Sequence, residues 1–356
     1  MKVSTSFIHG YAVTDWDELA TYAIEAERIG VDSIWAPEAW GFDGATPLAY
    51  LAAKTSKIRL GTSILQIGGR TPANLAMTAM SLYSMSKGRF ILGIGTSGPQ
   101  VMEGWHGVTF DKPIKRTRET IEILRKIFSG ERLTYQGEFY QIPVREGQGK
   151  PLSTFGQPMP DLPIYVASMG PANLRLTGEL ANGWRGTSFM PEHADVFLKP
   201  LAEGAKLSGR TLKDLELHTP GTVCITDDVD EAVEALRAPM AYSLGAMGSR
   251  RNNFYNNAYS RAGYKDIAKE VQRLWLDRKH DEARMMIPDE MVMRTHLIGT
   301  PDMIKERIRL YRDVGVDSIS ATIRQVRDPG TKTTVAGRIQ TMGEFMDLVN
   351  EVNVET

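Results

Sequence analysis

The sequence has little cysteine, no excess of either charge and no long apolar run. Its 356 residues include one cysteine, Cys224, which excludes an internal disulfide and a cysteine-based metal cluster. Lysine and arginine number 42 against 43 acidic residues, so no cationic surface is predicted for nucleic acid or an anionic membrane. No stretch approaches the roughly 18 uninterrupted apolar residues of a transmembrane helix. We therefore expect a soluble, cytoplasmic protein whose partner is a small-molecule substrate.

The motifs of several common active sites are also absent. The six histidines include no pair at metal-ligand spacing on one helix, and we predict no bound metal. Neither a Gly-x-Ser-x-Gly elbow nor a Walker loop is present. Gly93-x-Gly95-x-x-Gly98 has the spelling of a dinucleotide fingerprint, but Pro99 and Gly104 interrupt the long helix that such a site requires. A Rossmann site is therefore the weaker alternative for this stretch.

What the sequence does contain is a regular alternation of strand-like and helical segments. Eight strand-then-helix units without an antiparallel block predict an α/β fold, a (β/α)₈ TIM barrel rather than an open sheet. Two segments, at about 130–160 and 245–290, break this rhythm. We expect them to be insertions at the C-terminal mouth of a single domain spanning 1–356, with the second as a candidate lid.

Small residues at the end of the fourth predicted strand suggest an anion site. The apolar run Phe90 to Ile94 leads into Gly95 to Pro99, where main-chain N–H groups and two hydroxyls are available to an anion. A second Gly-Pro turn, Gly170-Pro171, follows the fifth predicted strand. Either turn alone serves equally well as a tight strand-to-helix connection. Their joint occurrence on one rim favours a ligand that carries an anionic group.

Titratable residues at the predicted strand ends are candidates for catalysis, since functional residues of TIM barrels gather there. Glu38 follows an apolar strand, where burial would raise its pKa and suit proton transfer; a plain surface carboxylate is the alternative. Glu103 and His106 lie just beyond the small-residue loop, and a hydrogen-bonded structural role for His106 stays open. His9 also falls at a strand end.

Motifs along nearly the whole chain carry a family resemblance. They are Glu38-Ala39-Trp40-Gly41, Leu60-Gly61-Thr62-Ser63-Ile64, Arg70-Thr71-Pro72, the stretch from Gly93 to Gly107, Thr117-Arg118-Glu119, Ile287-Pro288-Asp289-Glu290 and Gly299-Thr300-Pro301-Asp302. In combination the chain resembles the luciferase-like monooxygenase superfamily, in its coenzyme F420-dependent branch. The most similar subgroup is that of the methylenetetrahydromethanopterin reductase-like oxidoreductases.

The resemblance implies a barrel whose mouth holds coenzyme F420, with FMN as the alternative cofactor. It implies a non-proline cis peptide bond at Ser63-Ile64, behind the ring of the cofactor. Relatives are commonly homodimers, and a partner reductase is expected if reduced flavin is used. The cofactor-binding residues expected in this way are Glu38, Ser63, Ile64, Thr96, Ser97, Gly98, Ser168, Met169, Gly170 and Thr187.

The predicted function is hydride exchange between C5 of the deazaflavin and an unidentified small organic substrate. Sugar-phosphate dehydrogenases of this branch carry Ser-Asp-His after the second strand, whereas this chain has Pro37-Glu38-Ala39, which disfavours glucose-6-phosphate oxidation. The alternatives are a monooxygenase that uses reduced FMN and O₂, and a barrel that binds a ligand without flavin chemistry. Asn253, Phe254 and Tyr255 are candidates to line the substrate pocket, or else to anchor the lid.

Overall fold

A computed structural model describes residues 1–6, 15–248, 253–324 and 334–355. The candidate residue His9 and the end of the first predicted strand lie outside these ranges. Within them the strands are β1 (Lys2–Ser6), β2 (Ser33–Ala36), β3 (Arg59–Thr62), β4 (Leu65–Gln66), β5 (Phe90–Gly95), β6 (Tyr135–Gln136), β7 (Gln141–Ile142), β8 (Ile164–Ala167), β9 (Gly183–Arg185), β10 (Glu216–Ile225), β11 (Leu297–Gly299) and β12 (Ser318–Ile323).

Eight of these strands close into a parallel barrel. The order around the barrel is β1, β2, β3, β5, β8, β9, β10 and β12, and β12 pairs with β1 to complete it. β4 follows β3 in the chain and pairs with β5. β11 pairs with the C-terminal residues of β10. The predicted (β/α)₈ TIM barrel is confirmed. Its mouth is the end at which the eight strands terminate.

Helices follow the barrel strands and cover the outside of the barrel. Many begin with a proline, whose fixed φ and missing N–H suit the first helical turn. The described helices are α1 (Trp16–Arg28), α2 (Thr46–Lys54), α3 (Pro72–Met85), α4 (Pro99–Gly104), α5 (Pro113–Phe128), α6 (Pro171–Leu180), α7 (Asp195–Leu207), α8 (Val229–Gly245), α9 (Phe254–Tyr259), α10 (Lys265–Leu276), α11 (His280–Met285), α12 (Asp289–Thr295), α13 (Pro301–Asp313) and α14 (Val335–Asn353).

Aromatic side chains fill the inside of the barrel. Trp35, Ile91 and Tyr165 form a buried cluster that is separate from the main core between strands and helices. Gly61 is required beside them, because a Cβ at this position would lie 2.3 Å from the Trp35 ring. The His218 ring packs edge-on against Trp35, with the two ring centroids 5.4 Å apart.

Ion pairs close the N-terminal end of the barrel. The Arg59 guanidinium bonds the Asp32 carboxylate and reaches Glu216 at 2.6 Å, and Lys2 Nζ lies 3.1 Å from the same Glu216 carboxylate. The hydroxyl of Tyr165 also donates to Glu216. Asp32 and Glu216 therefore each have at least one cationic partner.

The two predicted insertions have different structures. The first, 130–160, contains the antiparallel hairpin of β6 and β7. The second, 245–290, contains α9 to α11 and a turn at Ser260–Tyr264 that is broken by Gly263, whose φ is +95°. Its helices pack with α8 around a hydrophobic cluster of their own, which includes Met190 and Cys224 from the barrel end. The lid role of this segment stays a prediction.

Candidate active site

Glu38, the first predicted catalytic residue, lies two residues beyond β2 in an ion pair with Arg70. Both terminal nitrogens of Arg70 donate to its carboxylate, Nη2 to Oε2 at 2.8 Å, and the Gly44 N–H donates to Oε2 at 2.9 Å. Its side chain is 8% exposed, so Glu38 is not a plain surface carboxylate. The bond to Glu38 raises the pKa of Arg70.

The peptide bond between Ser63 and Ile64 is cis, at the position that the family resemblance implied. This bulge between β3 and β4 explains two glycines of β5. A Cβ on Gly93 would lie 1.8 Å from Thr62 O, and a Cβ on Gly95 would lie 3.0 Å from Ile64 Cγ1. Gly93 and Gly95 are therefore explained by close packing of neighbouring strands. The long helix that a dinucleotide fingerprint requires is also absent here, since α4 has only six residues. The Rossmann alternative is wrong.

Two open glycine loops lie side by side at the mouth, because β5 and β8 are neighbours and pair Gly95 with Ala167. Gly98 and Gly170 precede α4 and α6, and neither helix has a side-chain hydrogen bond at its N-cap. A Cβ on either glycine would meet no atom within 4 Å. Main-chain N–H groups of the first helical turns therefore adjoin open space at two adjacent positions.

The side chains of the first glycine loop already have local roles. Thr96 Oγ1 donates to Ser97 O at 3.2 Å. Ser97 has a left-handed backbone with φ of +57°, so the chain turns sharply before Gly98. These two residues thus shape the loop in which Gly98 lies.

In the second loop the Ser168 side chain is turned inward, and the main-chain carbonyl of Met169 contacts the insertion. The Ser168 hydroxyl bonds Thr177 Oγ1 at 2.8 Å, and Ser168 is 3% exposed. Met169 O accepts from Arg261 Nη2 at 2.6 Å, which links the second insertion to this loop. Burial lowers the pKa of Arg261. Ser168 can therefore offer a ligand its main chain rather than its hydroxyl.

Glu103 lies at the end of α4, and His106 lies on the loop that follows it. Glu103 is exposed, and its Oε1 accepts from the Phe110 N–H at 3.0 Å, which closes this loop. His106 packs against Gly69, where a Cβ would lie 3.3 Å from His106 Cε1. Its Nε2 is buried and has no hydrogen-bond partner among the described residues.

Gln66 lies between two of the predicted catalytic residues, Glu38 and His106. Its Nε2 donates to Glu38 O and to Ala39 O, both at 3.2 Å. Its Oε1 lies 3.5 Å from the same Gly69 Cβ position that His106 contacts, and it too is buried without a partner in the described ranges. No described hydrogen bond joins the side chains of Glu38, Glu103 and His106 to one another.

The buried Arg185 at the end of β9 was not anticipated from the sequence. Its Nη2 lies 3.2 Å from Ser320 Oγ and 3.4 Å from Ser63 Oγ, and its Nη1 lies 3.3 Å from His218 Nδ1. The guanidinium carbon stands 4.1 Å from the centre of the Trp35 ring. Burial lowers the pKa of Arg185 to about 9, and no carboxylate among the described residues pairs with it.

A cavity of about 180 Å³ opens on the side of the mouth where β9, β10 and β12 meet the second insertion. Thr187, the last of the predicted cofactor-binding residues, lines this cavity rather than the glycine loops. His296 also lines it, and neither ring nitrogen of His296 has a partner within the described part of the chain. Burial, with a smaller effect from Arg324, lowers the pKa of His296 to about 4.

The three residues predicted to line the pocket or to anchor the second insertion divide between these two positions. Tyr255 lines the cavity. Phe254 packs against Phe110, with ring centroids 6.4 Å apart, and so joins the insertion to the loop after α4. Asn253 caps α9 by accepting from the Asn256 N–H at 3.0 Å.

The sequence of the chain identifies its family. Residues 3–318 match the profile of the luciferase-like monooxygenases. The chain belongs to the luciferase-like monooxygenase family. The family predicted from the motifs is therefore confirmed.

Curated members of this family place the chain among its oxidoreductases. It is 38% identical over 314 residues to a putative coenzyme F420-dependent oxidoreductase of Mycobacterium tuberculosis, covering 85% of this chain and 90% of that protein. It is 30% identical over 308 residues to the 5,10-methylenetetrahydromethanopterin reductase of Methanolobus tindarius, with coverages of 85% and 89%. An F420-dependent glucose-6-phosphate dehydrogenase of Kineococcus radiotolerans is 33% identical over 244 residues, with coverages of 64% and 70%. The predicted class, an oxidoreductase, is confirmed.

Solved structures in the family share the fold. The coenzyme F420-dependent tetrahydromethanopterin reductase of Methanopyrus kandleri superposes with a TM-score of 0.76 at 21% identity, covering 96% of this chain and 97% of that chain. An F420-dependent secondary alcohol dehydrogenase, solved with an F420-acetone adduct, has a TM-score of 0.74 at 18% identity, covering 98% of both chains.

Across residues 1–6, 15–248, 253–324 and 334–355, no group of three or more histidine, cysteine, aspartate or glutamate side chains is arranged to hold a metal ion. In the same part of the chain, no helix combines the length and the apolar character needed to cross a membrane.

Proposed function

We propose that the protein is a coenzyme F420-dependent oxidoreductase that exchanges a hydride with a small organic substrate. The bound deazaflavin supplies the hydride chemistry at its C5 atom. The chain supplies the pocket, the orientation and the charges. The observation that carries the proposal is the pair of open glycine loops at the mouth, in a chain whose relatives in Mycobacterium tuberculosis and Kineococcus radiotolerans are named for F420.

The residues at the mouth fit this cofactor. Thr96, Ser97 and Gly98 on one loop, and Ser168, Met169 and Gly170 on the next, would hold its phosphate by main-chain N–H groups. The N-terminus of α6 favours negative charge there, and the adjacent Arg261 adds a cation. Ser63 and Ile64 would lie behind the ring. The unpartnered buried oxygen of Gln66 offers an acceptor beside this surface.

We assign Glu38 to orienting the ligand and moving the proton that accompanies hydride transfer. A carboxylate has about four lone-pair directions, and three are taken by Arg70 and Gly44. One direction on Oε1 is left for a ligand. His106 is the second proton donor or acceptor that we propose, and Glu103 positions its loop through Phe110. The expected homodimer and a reductase partner stay predictions.

Titration of the protein with F420 and, separately, with FMN tests the cofactor. Intrinsic fluorescence and calorimetry are suitable readouts, because tryptophans stand at and below the mouth. Micromolar or tighter F420 binding with much weaker FMN binding supports the proposal. The reverse preference would favour the monooxygenase that uses reduced FMN and O₂, and binding of neither cofactor would contradict both.

Two glycine variants test the cradle directly. Gly98→Val and Gly170→Val place side chains in open space, since a Cβ meets no atom within 4 Å at either site. We expect F420 affinity to fall at least tenfold with an unchanged unfolding midpoint. The matched control is Gly343→Val in α14, where a Cβ also meets open space, away from the mouth. Equal F420 affinity in all three variants would remove the two loops from the cofactor site.

A further inference from the structure

We propose that the cavity beside His296 binds the substrate, and that this substrate is a small neutral alcohol or ketone. The inference rests on the proposed function, because it names the substrate class of the same enzyme. It is independent of how the cofactor phosphate is held. Four properties of the cavity carry it: its volume, the absence of charged residues from its described lining, its polar groups and its position.

The volume sets the size of the occupant. The cavity measures about 180 Å³. A cavity of about 150 Å³ is known to hold a benzene molecule, which has six carbon atoms. By proportion this cavity takes a molecule, or the reacting part of a molecule, with roughly seven non-hydrogen atoms.

The lining favours an uncharged occupant. Of the described residues that line the cavity, none is lysine, arginine, aspartate or glutamate. Leu236, Pro239 and Met240 of α8 form an apolar wall. His296 is neutral at pH 7, since the pKa of its ring is lowered to about 4. A phosphate or carboxylate would lose its hydration here without gaining a cation from these walls.

The polar groups of the lining suit one hydroxyl or carbonyl oxygen. Thr222 of β10, Thr322 of β12 and Thr187, two residues beyond the end of β9, bring hydroxyls to the cavity. A neutral imidazole has one donor and one acceptor nitrogen, and neither nitrogen of His296 has a partner among the described residues. A half-turn of the ring exchanges its nitrogen and carbon positions, so an occupant can meet a nitrogen without main-chain movement.

The cavity lies across the mouth from the expected cofactor ring. β10, which contributes Thr222, is four strands from β3 in either direction around the barrel, and β3 leads into the cis bond at Ser63. Arg185 spans the space between them: its Nη2 reaches Ser63 Oγ, and Thr187 follows it by two residues. The substrate pocket and the cofactor surface thus adjoin at the barrel axis.

The reaction that this arrangement supports is balanced. In oxidation, the carbinol carbon of the alcohol would give its hydride to C5 of oxidised F420, and the hydroxyl proton would pass to Glu38, the proton acceptor proposed above, while His296 only hydrogen-bonds the oxygen. The carbon–oxygen double bond of the ketone forms as the two bonds to hydrogen break. Reduction of the ketone is the reverse, with reduced F420 as the hydride donor.

The test uses the full chain with F420 and four probes. Cyclohexanol and cyclohexanone match the cavity in size, cyclododecanol is a larger neutral alcohol, and glucose 6-phosphate is an anionic alcohol. We measure F420 reduction or oxidation, and the binding of each probe to the F420-loaded protein by calorimetry. We expect binding and turnover of the two six-membered-ring probes, with cyclododecanol and glucose 6-phosphate at least tenfold weaker.

Variants at position 296 test whether the ring of His296 binds the substrate. His296→Leu removes both nitrogens at similar volume and is expected to raise the KM for cyclohexanol at least tenfold, with F420 affinity unchanged. His296→Gln keeps a donor and an acceptor and should stay within about threefold of the wild type. The control His280→Leu removes an exposed histidine outside the cavity and should change neither quantity.

The outcomes separate this inference from the proposed function. Failure of the protein to bind F420 contradicts the proposed function. Normal F420 binding with a preference for glucose 6-phosphate or cyclododecanol overturns the substrate assignment alone, as does the absence of binding by both six-membered-ring probes. Unchanged KM in a folded His296→Leu variant would remove His296 from recognition.

Discussion

Arg59 and Arg185 are half-buried and buried arginines at opposite ends of the same barrel. At the N-terminal end, Arg59 bonds the carboxylates of Asp32 and Glu216. At the mouth, Arg185 bonds hydroxyls and an imidazole, and the described residues provide it with no carboxylate. The two arginines therefore differ in whether the protein itself supplies them with an anionic partner.

The difference extends to other polar groups. Near the mouth, atoms of Gln66, His106, Arg185 and His296 are buried without partners in the described part of the chain. An unmatched buried polar group costs about 1–3 kcal/mol, so a protein keeps such groups at the expense of stability. In TIM barrels the mouth carries function and the opposite end carries stability. We infer that the unmatched groups at the mouth await a cofactor and a substrate, whereas the matched ones hold the barrel together.

The largest expected effect on the free energy of unfolding comes from removing the ion pairs at the N-terminal end of the barrel. Arg59→Met leaves Asp32 and Glu216 without their principal cation. Removing one partner of a buried ion pair costs about 3–5 kcal/mol, and we expect about 3 kcal/mol here because these side chains are 19–26% exposed. Urea unfolding measures the loss, and F420 affinity should stay within twofold. Lys2→Met is the control, with less than about 1 kcal/mol expected for a side chain that is 51% exposed.

At the mouth, Glu38→Gln is expected to slow turnover at least tenfold, about 1.4 kcal/mol in barrier, while F420 affinity is kept. The amide oxygen still accepts from Arg70 Nη2 and the Gly44 N–H, but the NH₂ group faces Arg70 Nη1, and the side chain carries no charge and accepts no proton. Steady-state kinetics with F420 as hydride acceptor provide the measurement. Glu103→Gln is the matched control, with less than threefold expected, since that carboxylate is exposed and bonds only a loop N–H. A Glu38→Gln enzyme with full turnover would remove Glu38 from the mechanism.

The two ends also differ in how well the sequence predicts them. The barrel was predictable because each strand is a short apolar run ended by small residues, a pattern local to a few positions. The glycine loops at Gly98 and Gly170 were predictable for the same reason. The role of Gly93 could not be predicted from the motif alone, because it is set by the close approach of Thr62 O on a neighbouring strand.

The partners of the titratable groups were not predictable, because they come from distant positions. Glu38 meets Arg70, 32 residues away, and Arg185 meets Ser63, 122 residues away. A signal for Arg185 does exist in the sequence, since a charged residue at the C-terminal end of a predicted barrel strand indicates function. No comparable local pattern marks His296, which joins the cavity only through the packing of the second insertion.

A smaller effect should appear in the pH dependence of stability. Burial lowers the pKa of His296 to about 4, below its value of 6.5 in an unfolded chain. Between these values the unfolded state binds a proton that the native state does not, so the free energy of unfolding falls as the pH is lowered. This contributes about 1.4 kcal/mol per pH unit. His296→Leu should reduce the slope between pH 6 and pH 5 by that amount, measured by urea unfolding at each pH; an unchanged slope would mean that His296 is charged in the native state.

The smallest effect is the sharpest test of the comparison, because the same substitution is made at the other arginine. Arg185→Met removes a cation whose pKa burial has lowered to about 9, so the native state no longer has to shield that charge. Against this gain stand the lost contacts with Ser63, Ser320 and His218 Nδ1. Replacing a buried charge by an apolar side chain is often neutral or stabilising when no partner charge is left behind. We therefore expect the free energy of unfolding to change by less than about 1 kcal/mol, against about 3 kcal/mol for Arg59→Met in the same urea experiment. A loss as large as that of Arg59→Met would show that Arg185 is matched within the protein, and that the mouth is built for stability as much as the opposite end.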